Sequence, residues 1–116
     1  MADNDCLFCK IVAGDIPADI VHEGERVLAF RDINPQAPTH LLLVPREHHE
    51  NAAVLAAADE AALAELFRVA GDVAAGEGLT DGGYRMVFNT GRGAGQVVFH
   101  AHLHLLGGRG FGWPPG

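Results

Sequence analysis

A chain of 116 residues, 48% apolar by count and with a formal net charge of −7, can fill one hydrophobic core but not two. The charge excludes a broad nucleic-acid surface, which needs a basic stripe to displace counterions, though a few backbone N–H groups can still hold one phosphate. No apolar run reaches membrane-spanning length, and residues 1–5 are polar and acidic, without the basic-then-apolar order of a secretion signal; the expectation is one domain over residues 1–116, in the cytoplasm, with no membrane partner.

Residues 8–13 read as one or two helical turns, stopped by Gly14 and Pro17. Residues 20–23 and 26–33 read as two strands of a hairpin around Gly24-Glu25. Pro35 and Pro38 make residues 34–38 a loop, since proline breaks both helix and ladder. Residues 39–45 are a continuous apolar run of strand length, which predicts a buried central strand. A short helix is expected over 51–57. Asp59 is placed to cap the main helix, with Leu63, Leu66, Phe67, Ala70, Val73 and Ala74 as its apolar stripe and Gly76 and Gly78 as its end. Residues 84–89 read as a strand, 91–95 as a glycine-rich loop and 99–105 as the last strand. The tail 109–116, with Pro114 and Pro115, has no regular structure of its own. The sum is an α+β fold: an antiparallel sheet with one main helix on a face.

Side chains alternate along a strand, so Phe99, Ala101, Leu103 and Leu105 should face the core, and His100, His102 and His104 the other side. Three imidazoles on one face suit a metal or phosphate chemistry: neutral imidazole is a nucleophile near neutral pH, and its N–H donates to oxyanions. The glycine loop upstream lets backbone N–H groups approach a phosphate. The plainer alternative is a solvated histidine-rich strand after an ordinary turn. Cys6 and Cys9 form Cys-x-x-Cys, which in a reducing compartment points to metal or redox chemistry more than to a structural disulfide. His22 reads as a surface residue, and His40 as packed or hydrogen-bonded at the start of its strand.

His100-Ala-His-Leu-His104-Leu-Leu resembles the His-x-His-x-His-x-x signature of the histidine triad family, where x is apolar. FRDINPQAPTH over 30–40, GYRMVFN over 83–89, Gly95-Gln96 and the ending Trp113-Pro-Pro-Gly116 are similar to its nucleotide-binding, phosphoramidase branch. The resemblance implies a sheet continued across a homodimer. It also implies a two-step reaction: His102 attacks the α-phosphorus of a purine nucleotide (AMP or GMP type), and water then releases the monophosphate from the nucleotidyl-histidine. His100 and His104 would complete the catalytic set, His104 by contacting phosphate oxygens. The backbone at Gly95, Gln96 and Val97 would hold the phosphate, Asp32 the ribose hydroxyls, and Asn89 the phosphate or leaving group. Leu7, Phe8, Ile11, Phe30 and Ile33 would form an apolar slot for the base. Read alone, Asp32 and Asn89 also suit turns, and the apolar residues suit a core. Relatives often carry a serine at the position of Val97, where its hydroxyl would assist a leaving nitrogen.

The resemblance also implies a structural zinc on Cys6, Cys9, His48 and His100, with His49 the competitor for His48 and no organic cofactor. The alternative is a pair of reduced, buried thiols; a redox role lacks its usual βαβ context. Trp113 is implied to cross to the partner subunit's active site, against the alternative of a frayed tail. Two other functions fit the same features: a dinucleoside polyphosphate hydrolase, and a nucleotide-binding interaction module with little turnover.

Overall fold

The computed structural model describes residues 5–116, so all but Asp5 of the acidic stretch read above for a secretion signal lies outside the described residues. In chain order the elements are α1 (Leu7–Ala13), β1 (Ile20–Glu23), β2 (Val27–Arg31), β3 (Thr39–Pro45), α2 (Ala52–Ala58), α3 (Glu60–Gly76), β4 (Tyr84–Val87) and β5 (Leu103–Gly107). The strands form one antiparallel sheet in the order β1-β2-β3-β5-β4. The expected α+β architecture is what the chain adopts.

Local chemistry accounts for the element boundaries. Cys6 caps α1 by accepting the Cys9 N–H, and Gly14 ends it in the left-handed conformation at φ 82°. Asn51 and Asp59 cap α2 and α3 by accepting the N–H groups of Val54 and Ala62. β3 is buried along nearly its whole length, as its unbroken apolar run requires.

Two apolar layers sandwich the sheet. On one face, Val27, Ala29, Leu41, Leu43, Ala101, Leu103 and Leu105 pack against Ala62, Leu66, Val69 and Ala70 of α3. Each valine or leucine among them contributes about 1.5–3 kcal/mol when fully buried. On the other face, Leu28, Phe30, Leu42 and Val44 pack under Phe8 and Ile11 of α1. The short α1 is therefore the second wall of the molecule.

Three details differ from expectation. The stripe of α3 is rotated, with Ala62 and Val69 in the core and Phe67 42% exposed. The Phe67 ring instead meets Phe88 beside the edge strand, centroids 5.9 Å apart. β4 stops at Val87, short of Asn89. The last strand begins at Leu103, not at residue 99. β3 ends at Pro45, which has no N–H to extend the ladder, and Ala101 N–H donates instead to His49 O at 2.7 Å. Phe99 accordingly leaves the core and lies under the Arg92 guanidinium, 5.1 Å from ring centroid to Cζ.

Candidate active site

The segment between the glycine loop and β5 bends at residues 98–100, which takes Phe99 out of the pattern, and the alternation holds from residue 101 onward. Ala101, Leu103 and Leu105 enter the α3-side core. On the opposite side, the His100 and His102 rings both lie edge-on to Phe8, at 6.0 and 4.9 Å, and the His102 and His104 rings also meet edge-on, at 5.0 Å.

Hydrogen bonds to groups of known polarity fix each tautomer. The His100 carbonyl can only accept, so His102 Nδ1–H donates to it at 2.7 Å and Nε2 keeps its lone pair. His100 Nε2–H likewise donates to Pro45 O at 2.8 Å, leaving Nδ1 as a base. The Gln36 N–H donates to His40 Nδ1 at 3.0 Å, so the His40 proton is on Nε2. That proton points to His104 Nδ1 at 2.9 Å, with an Asp32 carboxylate oxygen 3.4 Å away. His104 must then carry its own proton on Nε2. His40 is the functional candidate that sequence reasoning missed. Its partner is 64 positions away, but Leu42 opposes His104 across the sheet, and His40, two residues along β3, is the diagonal neighbour.

Burial keeps these rings neutral. Desolvation is the largest influence on all of them; it lowers His102 and His40 and holds His100 and His104 down to about 4. For His102 the hydrogen bond to the His100 carbonyl and the Asp32 charge work the other way, and for His104 the neighbouring His102 and His40 add to the lowering. The site thus presents an unprotonated Nε2 beside an N–H donor at neutral pH.

A cavity lies in front of these groups. Phe8, Ile11, Phe30, Ile33, Asp32, Val97, His102 and His104 all line it, together with Leu42 and Val98. Ile33 is 99% exposed and Val97 83%, so both stand at its mouth. Leu7, Asn89, Gly95, Gln96 and Trp113 are not among its lining, and Trp113 is 84% exposed. Gln96 is buried and scaffolds the glycine loop from within: its side-chain oxygen accepts the Gly91 N–H, and its amide nitrogen donates to Glu50 O and Val98 O. The Gly95 and Gln96 N–H groups close the 3-10 turn on Arg92 O and Gly91 O. Among the described residues the Val97 N–H has no partner.

Behind His100, the Cys6 and Cys9 sulfurs, His48 Nδ1 and His100 Nδ1 lie within 4.8 Å of one another. The closest donor pairs are 3.2 to 3.5 Å apart. A tetrahedral zinc with bonds of about 2.3 Å to sulfur and about 2.0–2.1 Å to nitrogen separates its donors by about 3.3–3.8 Å, so this donor set fits the ion in type and spacing. His48, not His49, joins the cluster. His49 is half-buried, with an enclosed Nε2 that has no partner among the described residues. Burial raises the Cys6 thiol above its ordinary value, and a bound cation would reverse that.

The HIT domain family model matches residues 13–111. The chain is 45% identical over 108 residues to the purine nucleoside phosphoramidase of Escherichia coli K12, covering 93% of this chain and 91% of that one. It is 50% identical over 117 residues to a 14 kDa zinc-binding protein of Zea mays, covering 98% and 90%. Among solved structures, a HIT family hydrolase from Legionella pneumophila superposes with a TM-score of 0.93 at 53% identity, covering 97% of this chain and all of that one (100%). Among the described residues no helix is long and apolar enough to cross a membrane. With the imidazole cluster, the sheet and these matches in agreement over nearly the whole length, this chain belongs to the HIT domain family.

Proposed function

We propose that this protein cleaves a purine nucleoside phosphoramidate, or a related adenylyl compound, to the nucleoside monophosphate by way of a nucleotidyl-His102 intermediate. The observation that carries the reading is the tautomer of His102: Nδ1–H is tied to the His100 carbonyl, and Nε2 is left as a free base on the cavity wall. The base would lie in the apolar slot of Phe8, Ile11, Phe30 and Ile33, with Asp32 toward the ribose. His104 Nε2–H and the Val97 N–H would donate to phosphate oxygens, and Asn89 would orient the leaving side.

In the first step His102 Nε2 forms a bond to phosphorus as the bond to the leaving nitrogen breaks. The departing amine takes its proton from solvent, since the Val97 side chain offers none. The ring is now cationic, and the His100 carbonyl at 2.7 Å stabilises its Nδ1–H. Water then attacks phosphorus, loses its proton to solvent, and returns the electron pair to Nε2. Dividing one displacement into two lowers each barrier.

Cys6, Cys9, His48 and His100 would hold zinc in a structural role, tying α1 to the segment that carries His100. Both cysteines are free thiols, which suits a reducing cytoplasm. The whole chain would act as one domain. It would pair through β4 at the sheet edge, where Met86 and Phe67 are exposed. The tail with Trp113 would cross to the partner's site. Sedimentation at micromolar concentration is expected to give a dimer; a monomer there would overturn the pairing. Deleting residues 113–116 should change the preference among leaving groups, and an unchanged preference would remove the tail from the site.

The Val97 side chain favours one second reading, a dinucleoside polyphosphate hydrolase, because a phosphate leaving group needs no proton. Turnover of adenosine phosphoramidate against a dinucleoside polyphosphate separates them. The expected result is at least about tenfold higher kcat/KM for the phosphoramidate, a difference of roughly 1.4 kcal/mol in transition-state binding. The reverse order would favour the second reading, and no turnover of either would leave a binding module.

A further inference from the structure

The loop between β2 and β3, residues 32–38, controls the His40 tautomer, yet it has few anchors of its own. Pro35 and Pro38 supply no N–H, and Ile33, Asn34 and Gln36 are exposed. Within the loop, Asn34 N–H is held by an Asp32 oxygen at 2.9 Å, and the Gln36 side chain donates to Asn34 O at 3.1 Å. From outside, one side chain among the described residues donates to its backbone. Arg109 places Nε and Nη2 on Gln36 O at 3.2 and 3.1 Å.

The guanidinium is itself held. It lies 4.3 Å from the centroid of Phe111, and its Nη1 donates to Gly110 O at 2.9 Å. A planar fork fixed on an aromatic face loses little freedom on bonding. Just before it, Gly108 at φ 90° passes so close to Pro38 that an added Cβ would meet the proline Cβ at 2.9 Å. Gln36 is thus held at both of its peptide groups, the carbonyl by Arg109 and the N–H by His40.

We infer that Arg109 is a positioning residue for the active site, anchoring Gln36, whose N–H dictates the His40 tautomer and, through it, the N–H that His104 presents to phosphate. This rests on the proposed role of His102 and His104. Without Arg109 the Gln36–Ala37 peptide is released, Gln36 is no longer anchored on its carbonyl side, and the N–H of its other peptide is no longer kept on His40 Nδ1. His40 can then carry its proton on Nδ1. In that state His40 Nε2 can only accept, His104 turns its own proton toward it, and the N–H aimed at phosphate is lost.

The test uses Arg109→Ala, Arg109→Lys and Arg85→Ala in the full chain. Arg85 is the control for tail docking: its Nη2 donates to Gly112 O at 2.8 Å and its guanidinium also lies over Phe111, at 5.1 Å, but it does not touch Gln36. Steady-state kinetics on adenosine phosphoramidate and the imidazole 15N shifts of His40 and His104 are measured for each. Arg109→Ala is expected to lower kcat about five- to tenfold with KM within about twofold. In the same variant the His40 Nδ1 resonance moves from the unprotonated toward the protonated type. Lysine should restore part of both, and Arg85→Ala should keep the parent's His40 and His104 15N shifts. Unchanged kcat and 15N shifts in Arg109→Ala, an effect on KM alone, or the same 15N changes in Arg85→Ala would overturn the assignment. If the parent turns over no nucleotide substrate, the proposed function fails, while the 15N shifts still decide whether Arg109 sets the tautomer.

Discussion

His102→Ala is expected to lower turnover by about four orders of magnitude or more while nucleotide affinity stays within about tenfold. The asymmetry follows from where His102 acts. In the proposed reaction its Nε2 would bond to phosphorus only on the reaction path, whereas the apolar slot, Asp32 and His104 would bind the ground state and remain after the substitution. None of the neutral rings nearby replaces it. His104 Nδ1 accepts from His40, and His100 is turned away with its Nε2–H on Pro45 O. His102→Asn, whose amide can still donate to the His100 carbonyl, should be equally inactive. Residual turnover within tenfold of the parent in both variants would show that another group attacks.

Cys9→Ala should remove the metal and much of the stability. Protein isolated without a histidine tag is expected to carry close to one zinc per chain, and the variant close to none. A ligand present at about 100 times its dissociation constant adds about 2.7 kcal/mol to the folded state. For a domain of this size that corresponds to roughly a 10 °C fall in Tm on its loss. The geometry explains why so small a site has such reach. Cys6 and Cys9 sit at the N-terminal end of α1, His48 follows β3, and His100 precedes β5, so one ion would tie α1 to two segments that already meet through His100 Nε2–H on Pro45 O and Ala101 N–H on His49 O. Treating the parent with a chelator should reproduce the variant's Tm. An unchanged zinc content and Tm in Cys9→Ala would reject the site.

Most of the fold was legible because its signals are local. The apolar run of β3, the aspartate that caps α3, and the glycine that ends α1 each act within a turn of where they stand. The polar side of residues 100–104 was legible for the same reason, since alternation holds from residue 101 into β5. What escaped depended on contacts far apart in sequence. The start of β5 is set by Pro45, which ends the partner strand, and Phe67 is turned outward by the position of Phe88. His40 looks like an ordinary strand residue until the register brings it diagonal to His104. The glycine loop could be seen as a phosphate cradle, but not that the Gln96 side chain supports it from beneath.

The most direct test is to mix the protein with a purine nucleoside phosphoramidate, quench within the first turnovers, and map the modified residue by mass spectrometry under conditions that preserve phosphoramidate bonds. The account predicts a nucleoside monophosphoryl group on the peptide spanning residues 100–104, attached to His102 and absent from His102→Ala. An adduct on any other residue, or release of the monophosphate with no adduct at any time during turnover, would contradict it.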